Sequence, residues 1–70
     1  MKQLKINGKE KNFTAQQFPA TVGLLLISMN LQPVTVVVEL DGRIIERTDF
    51  DNTALTSGQS IELIRFVGGG

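Results

Sequence analysis

The dipeptide Asn7-Gly8 predicts that the chain begins with a β-hairpin. Both central positions of a two-residue type I′ turn need a positive φ angle, which asparagine and glycine tolerate best. Residues 2–6 alternate apolar and polar side chains before this turn, as a half-buried strand does. Residues 9–13 follow it and form the predicted returning strand.

A second tight turn is predicted at Asp41-Gly42. The β-branched stretch over residues 35–40 before it is typical of a buried strand. Residues 43–46 are predicted to be a short strand that pairs with the strand before this turn. Residues 60–67 are predicted to be the last strand. Between these two strands, residues 47–57 have no clear period and predict a loop with one helical turn.

One helix is predicted between the two hairpins. Thr21 has a hydroxyl that can accept hydrogen bonds from the free amides of a first helical turn. Proline at position 33 restricts the residue before it, so the helix is expected to end at Gln32-Pro33. Four apolar residues at helical spacing form its core stripe: Val22, Leu25, Leu26 and Met29.

The predicted elements favour an α+β domain with one mixed sheet of about five strands and the helix packed across one face. A chain of 70 residues is one domain at most. We expect the first and last strands to lie parallel in the centre, as in the ubiquitin-like β-grasp fold. This domain would span residues 1–67, and residues 68–70 would form a flexible glycine tail.

Composition excludes several functional classes. The chain has no cysteine and no histidine, so common zinc sites and Ser–His or Cys–His nucleophile pairs are impossible. We therefore expect it not to be an enzyme and to bind no metal. A net charge of zero argues against nucleic-acid binding. Without a signal peptide or a long apolar run, a cytoplasmic location with no membrane contact is expected.

The charges are unevenly distributed. The first twelve residues carry four lysines against one glutamate, whereas residues 39–51 carry five acidic residues against two arginines. The interpretation we favour is two solvated surfaces. The alternative is a charged patch that steers a partner towards the protein.

The sequence ends in Gly68-Gly69-Gly70. Such an ending can be a frayed terminus without a role or a cloning remnant. It can also be a thin arm that delivers the α-carboxylate of Gly70 into a partner's active site, since a narrow channel can close around a backbone that has no Cβ.

Two groups of apolar residues are not part of the predicted core. If Ile61 and Leu63 face the helix, then Ile64 and Phe66 lie on the open face of the sheet, where together with Val67 they would form a docking patch beside the tail. On the helix, Leu24, Ile27 and Leu31 fall outside the core stripe. Either a neighbouring loop covers these three residues, as we expect for Leu31, or they contact a partner enzyme or a second copy.

Two segments carry a resemblance to a known family. Val38-Glu39-Leu40-Asp41-Gly42-Arg43-Ile44-Ile45-Glu46-Arg47 and Ile61-Glu62-Leu63-Ile64-Arg65-Phe66-Val67-Gly68-Gly69-Gly70 resemble the ThiS family of sulfur carriers. The resemblance extends over nearly the whole chain, and its most specific part is the Phe-Val-Gly-Gly-Gly ending.

The resemblance implies a mechanism that depends on three partners. A ThiF-like enzyme would use ATP to adenylate the Gly70 carboxylate, and a sulfur donor protein would convert the adenylate to a thiocarboxylate. A ThiG-like thiazole synthase would then take the sulfur for thiamin. The carrier itself would bind no cofactor. A carrier for molybdopterin synthesis or another pathway, and a non-covalent ubiquitin-like binding module, are the alternatives.

Overall fold

The computed structural model describes residues 1–66 of the chain. Its strands are β1 (Lys2–Ile6), β2 (Lys9–Phe13), β3 (Val36–Leu40), β4 (Arg43–Ile45) and β5 (Ser60–Arg65). Within the described residues they form one sheet in the order β2-β1-β5-β3-β4. Strands β1 and β5 are parallel neighbours, and the other pairs are antiparallel. The predicted mixed sheet is confirmed.

Both predicted hairpin turns are present. Asn7 and Gly8 have φ angles of 51° and 83°, and Asp41 and Gly42 have φ angles of 49° and 84°. Positive values at both positions are those that a type I′ turn needs. The local sequence therefore determines where the chain reverses.

The helix α1 (Val22–Ser28) begins where the sequence predicts. The hydroxyl oxygen of Thr21 accepts a hydrogen bond from the Leu24 N–H, with 3.2 Å between the two atoms. This contact satisfies one of the amides that a first helical turn leaves free. The helix buries Val22, Leu25 and Leu26 against the sheet.

The predicted end of the helix at Gln32-Pro33 is wrong. Helix α1 stops at Ser28, because Asn30 takes a left-handed conformation with φ of 59°. The Leu31 N–H then bonds to the Leu26 carbonyl at 2.9 Å, and the Asn30 N–H bonds to the Ile27 carbonyl at 3.1 Å. These two bonds form a Schellman motif, which asparagine can close in place of glycine.

The segments that flank β3 and β4 also differ slightly from the prediction. Pro33–Thr35 forms a short 3-10 turn, so β3 begins at Val36. The helical turn predicted after β4 is a 3-10 helix over Arg47–Asn52. This 3-10 helix packs against α1 and places Phe50 in the core.

The core lies between α1 and one face of the sheet. Its buried apolar residues are Leu4, Ile6, Phe13, Val22, Leu25, Leu26, Val36, Val38, Leu40, Phe50, Leu55, Ile61 and Leu63. Leu31 is partly buried against this core, as expected. Leu24 and Ile27 are 49% and 69% exposed. No loop covers these two side chains within residues 1–66, so the covering-loop explanation is wrong for them.

Candidate functional site

Strand β5 leads directly towards the terminal glycines. It lies in the middle of the sheet, between β1 and β3. Its pairing with the β3 side extends one residue further, because the Phe66 N–H bonds to the Thr35 carbonyl at 3.2 Å. The predicted docking residue Val67 and the predicted tail residues Gly68, Gly69 and Gly70 lie outside the described residues.

The side chains of β5 alternate between the two faces of the sheet, as the sequence predicts. Ile61 and Leu63 are buried beneath the helix. Ile64 and Phe66 lie on the opposite face, and each is 49% exposed. The structure therefore places two of the three predicted docking residues together, at the end of the strand that precedes the tail.

The apolar surface around these residues is larger than the sequence analysis predicted. Val37 is the cross-strand neighbour of Ile64 on the same face. Ile44 on β4 and Val34 in the 3-10 turn are 65% and 58% exposed. We call these five residues, Val34, Val37, Ile44, Ile64 and Phe66, the outer patch.

A groove of about 380 Å³ crosses the outer patch where β4 ends and the chain leaves the sheet. Val37, Ile44 and Phe66 are among its lining residues, and Arg47 contributes a cation. Sequence reasoning missed Val37 because it stands in an unbroken run of valines, where alternation cannot be seen. Val37 could be assigned to the outer face only from the pairing of β3 with β5, which places it beside Ile64.

The two hairpin turns also hold β5 in place through their side chains. The Asn7 side-chain oxygen accepts a hydrogen bond from the Leu63 N–H at 2.7 Å. At the start of the strand, the Asp41 carboxylate accepts one from the Ser60 N–H at 2.9 Å. These bonds satisfy one backbone donor of β5 on its β1 side, at Leu63, and one on its β3 side, at Ser60, and so fix the central strand in place.

The basic and the acidic segments of the sequence lie at opposite edges of the sheet. The lysine-rich first hairpin forms one edge of the sheet, because β2 is an edge strand. The acidic segment over residues 39–51 includes β4, the opposite edge, and the 3-10 helix that follows it. The predicted docking residues Ile64 and Phe66, at the end of β5, lie between these two edges.

Among residues 1–66, no group of three or more His, Cys, Asp or Glu side chains is arranged to hold a metal ion. The same part of the chain has no helix that is long and apolar enough to cross a membrane. The candidate site for partner contacts is the apolar outer patch at the end of β5.

Comparison with known proteins identifies the family to which this arrangement belongs. The sequence model of the ThiS family matches residues 4–70, which include the glycine ending. The chain belongs to the ThiS family. The resemblance seen in the sequence to ThiS-type ubiquitin-like carriers is confirmed.

Two solved structures of a ThiS-family relative share the fold. The crystal structure of a thiamine biosynthesis protein (ThiS) from Geobacter metallireducens has a TM-score of 0.80 and 34% sequence identity, and the match covers 97% of this chain and 99% of that one. The solution structure of a thiamine biosynthesis protein from the same organism has a TM-score of 0.79 and 35% identity, with 97% and 87% coverage. The β-grasp prediction is thus confirmed.

A second relative is much longer. A thiazole synthase of Paramagnetospirillum magneticum is 34% identical over 68 residues, which is 97% of this chain. The chain spans only 20% of the length of that protein. A ThiS-like segment is therefore one part of a larger protein named thiazole synthase.

Proposed function

We propose that this ThiS-family protein is a sulfur carrier of thiamin biosynthesis and that the carboxylate of Gly70 is its working group. The observation that carries the proposal is the family match through residue 70, in which the last three positions are glycine. A backbone without side chains can enter a narrow active site, and its terminal carbonyl carbon is open to attack.

The chemistry of the chain requires outside enzymes. A carboxylate is a poor electrophile, so a ThiF-like enzyme must first transfer AMP from ATP to the Gly70 oxygen and release pyrophosphate. The outer sulfur of a persulfide on the sulfur donor protein then attacks the acyl carbon and displaces AMP, which leaves an acyl disulfide between Gly70 and the donor. A thiol reductant cleaves its S–S bond, is itself oxidised to a disulfide, and releases the donor thiol and the Gly70 thiocarboxylate. The chain has no thiol of its own, so both activation and sulfur come from partners.

The outer patch supplies the docking surface in this proposal. Ile64 and Phe66, together with Val67, would contact the ThiF-like enzyme while the tail enters its active site. Val34, Val37 and Ile44 extend the same apolar surface. Exposed contiguous apolar surfaces of this kind are typical of protein contact sites.

A thiazole synthase is the proposed acceptor of the sulfur. The support is the P. magneticum relative, in which a segment similar to this chain is part of a protein named thiazole synthase. We infer that this chain interacts with a ThiG-like enzyme.

Intact mass spectrometry tests the proposal. The chain is incubated with ATP, a ThiF-like enzyme, a persulfide-bearing sulfur donor and a thiol reductant, and the expected gain is the mass difference between sulfur and oxygen. Trypsin cleavage after Arg65 should place the gain on the peptide Phe66–Gly70.

Two variants serve as controls. Deletion of Gly70, or addition of one residue after it, should abolish the mass gain while amide spectra of residues 1–66 stay unchanged. If wild-type protein shows no gain under conditions in which the G. metallireducens ThiS is modified, the proposed function is wrong.

A further inference from the structure

The outward face of α1 carries a second apolar surface, on the side of the sheet away from the outer patch. Leu24 and Ile27 point almost directly away from the core stripe at the 3.6-residue repeat, and both are exposed. The whole stretch over residues 21–38 contains no charged residue. A solvent-exposed helix face normally carries charged side chains, so this surface has the composition of a contact.

The uncharged surface continues beyond the end of the helix. A shallow groove of about 260 Å³ begins at Ile27 and is lined by uncharged residues only. The other lining residues are Asn30, Leu31, Gln32 and Pro33. The apolar side chains and this groove together form one uncharged strip, which we call the helix strip.

A positive surface borders the helix strip on one side. Lys9 and Lys11 lie opposite Ile6 and Leu4 in the first hairpin and therefore point to the helix side of the sheet. Lys2 points the same way, and its ammonium lies 5.0 Å from the centre of the Phe18 ring. Lys9 and Lys11 belong to the edge strand β2, and Lys2 belongs to the neighbouring strand β1.

A negative group borders the helix strip on the other side. The Asp51 carboxylate of the 3-10 helix lies against Gly23 of α1, at a place where an added Cβ would collide with it. At the helical repeat, Gly23 and Ile27 lie on the same side of the exposed face, which is the side of Asp51. Leu24 lies on the other side of this face, towards the lysines. The surface thus carries an apolar centre between flanks of opposite charge.

We propose that the helix strip is a homodimer contact that binds a second copy of this chain. A twofold interface must be complementary to itself, and a surface with one positive and one negative flank meets this condition. A twofold axis parallel to α1 exchanges the flanks. It brings the lysine side of each copy to the Asp51 side of its partner and Leu24 of each copy beside Ile27 of the other.

Two further features favour a second copy as the occupant. The net charge of the chain is zero, so no overall repulsion opposes association. The contact also leaves the outer patch and the end of β5 free, because they belong to the opposite face of the sheet. The interface is small, and interfaces that bury less than about 1,200 Å² are typical of weak association. The inference does not depend on the proposed sulfur-carrier function.

Sedimentation equilibrium of the full chain, from about 20 μM to about 1 mM, tests the dimer in a range suited to weak affinities. The wild type is expected to dimerise, and the double variant Leu24→Glu with Ile27→Glu is expected to stay monomeric. Ile64→Glu is the matched control, because Ile64 is as exposed as Leu24 but lies on the other face. This control should dimerise like the wild type.

A charge exchange tests the orientation. Lys11→Glu and Asp51→Lys should each lower the association constant by roughly fivefold at low salt, since each disturbs two symmetric exposed ion pairs. The two changes in one chain should restore it. Wild-type association should also weaken as salt is added.

The proposal is overturned if the wild type is monomeric at about 1 mM, the upper end of the weak-binding range. It is equally wrong if Ile64→Glu abolishes dimerisation while the helix double variant does not. Amide shifts of the wild type that change with concentration provide a second measurement, which needs no folded variant. They should change around Leu24 and Ile27 if the helix strip is the contact, and changes confined to Ile64 and Phe66 would disprove it.

Discussion

At the scale of single residues, the two hairpin turns do more than reverse the chain. Asn7 and Asp41 occupy left-handed backbone positions that asparagine and aspartate tolerate. Their side-chain oxygens then bond to backbone amides of β5, at Leu63 and Ser60. Each of these two residues thus meets a local backbone requirement and also accepts a hydrogen bond from an amide that is distant in the sequence.

Asn7→Ala should lower the free energy of unfolding by about 2 to 5 kcal/mol. The Leu63 N–H would lose its acceptor, which costs about 1–3 kcal/mol, and alanine is strained by about 1–2 kcal/mol at a positive φ. Urea unfolding of both proteins measures the difference. Asn7→Asp keeps an acceptor and a tolerant backbone, so it should retain most of the stability. Equal losses in the two variants would contradict this role of the side-chain oxygen.

At the scale of elements, β5 combines two tasks on its two faces. Its inward residues Ile61 and Leu63 complete the core, whereas Ile64 and Phe66 remain available outside. Helix α1 is divided in the same way, with Leu25 and Leu26 inside and Leu24 and Ile27 outside. Each element can therefore present an apolar surface without weakening the core that positions it.

Phe66→Ala should weaken binding to the ThiF-like enzyme by about 2 kcal/mol, or roughly 30-fold, because aromatic residues are frequent binding hot spots. Its unfolding free energy should change by less than about 1 kcal/mol, since the ring is half exposed. Isothermal titration calorimetry and urea unfolding measure the two effects.

Leu24→Ala is the matched control for this prediction. Leu24 has the same 49% exposure as Phe66 but lies on the helix, so its truncation should leave the affinity unchanged. If Phe66→Ala binds as well as the wild type, docking occurs elsewhere on the chain. If both variants bind weakly, the loss does not come from the outer patch.

At the scale of the whole molecule, the strand order decides which regions meet. The first and last strands are neighbours although they are separated by most of the chain. The basic hairpin and the acidic segment lie at opposite edges. The outer patch and the helix strip lie on opposite faces, so the fold presents two separate apolar surfaces.

Native-state hydrogen exchange should reflect this arrangement. Amides of β5, which has a neighbour on each side and two buried residues, should exchange most slowly, through global unfolding. Strand β2 buries only Phe13 among its residues and should open locally, with much lower protection. Equal protection in β2 and β5 would show that the sheet opens only as a unit.

Features that depend on a few neighbouring residues could be predicted from local patterns in the amino-acid sequence. The positive φ angles of the two tight turns, the Thr21 cap and the alternation along β5 follow from local backbone preferences and side-chain period. The composition of the ending is a local feature too. The end of α1 also depends on local sequence, since Asn30 closes the helix. The prediction was wrong because it relied on Pro33 and did not consider Asn30 as the residue that ends the helix.

Features that depend on contacts between distant residues could not be predicted without the three-dimensional fold. The register of the strands makes Val37 a cross-strand neighbour of Ile64 and brings the Asn7 side chain within hydrogen-bond distance of the Leu63 N–H. No local sequence pattern predicts either contact. The exposure of Leu24 and Ile27 depends on where the loops run. The two charged flanks of α1 arise from the strand order, because the free energy of packing the core selects one topology from several that the local signals allow.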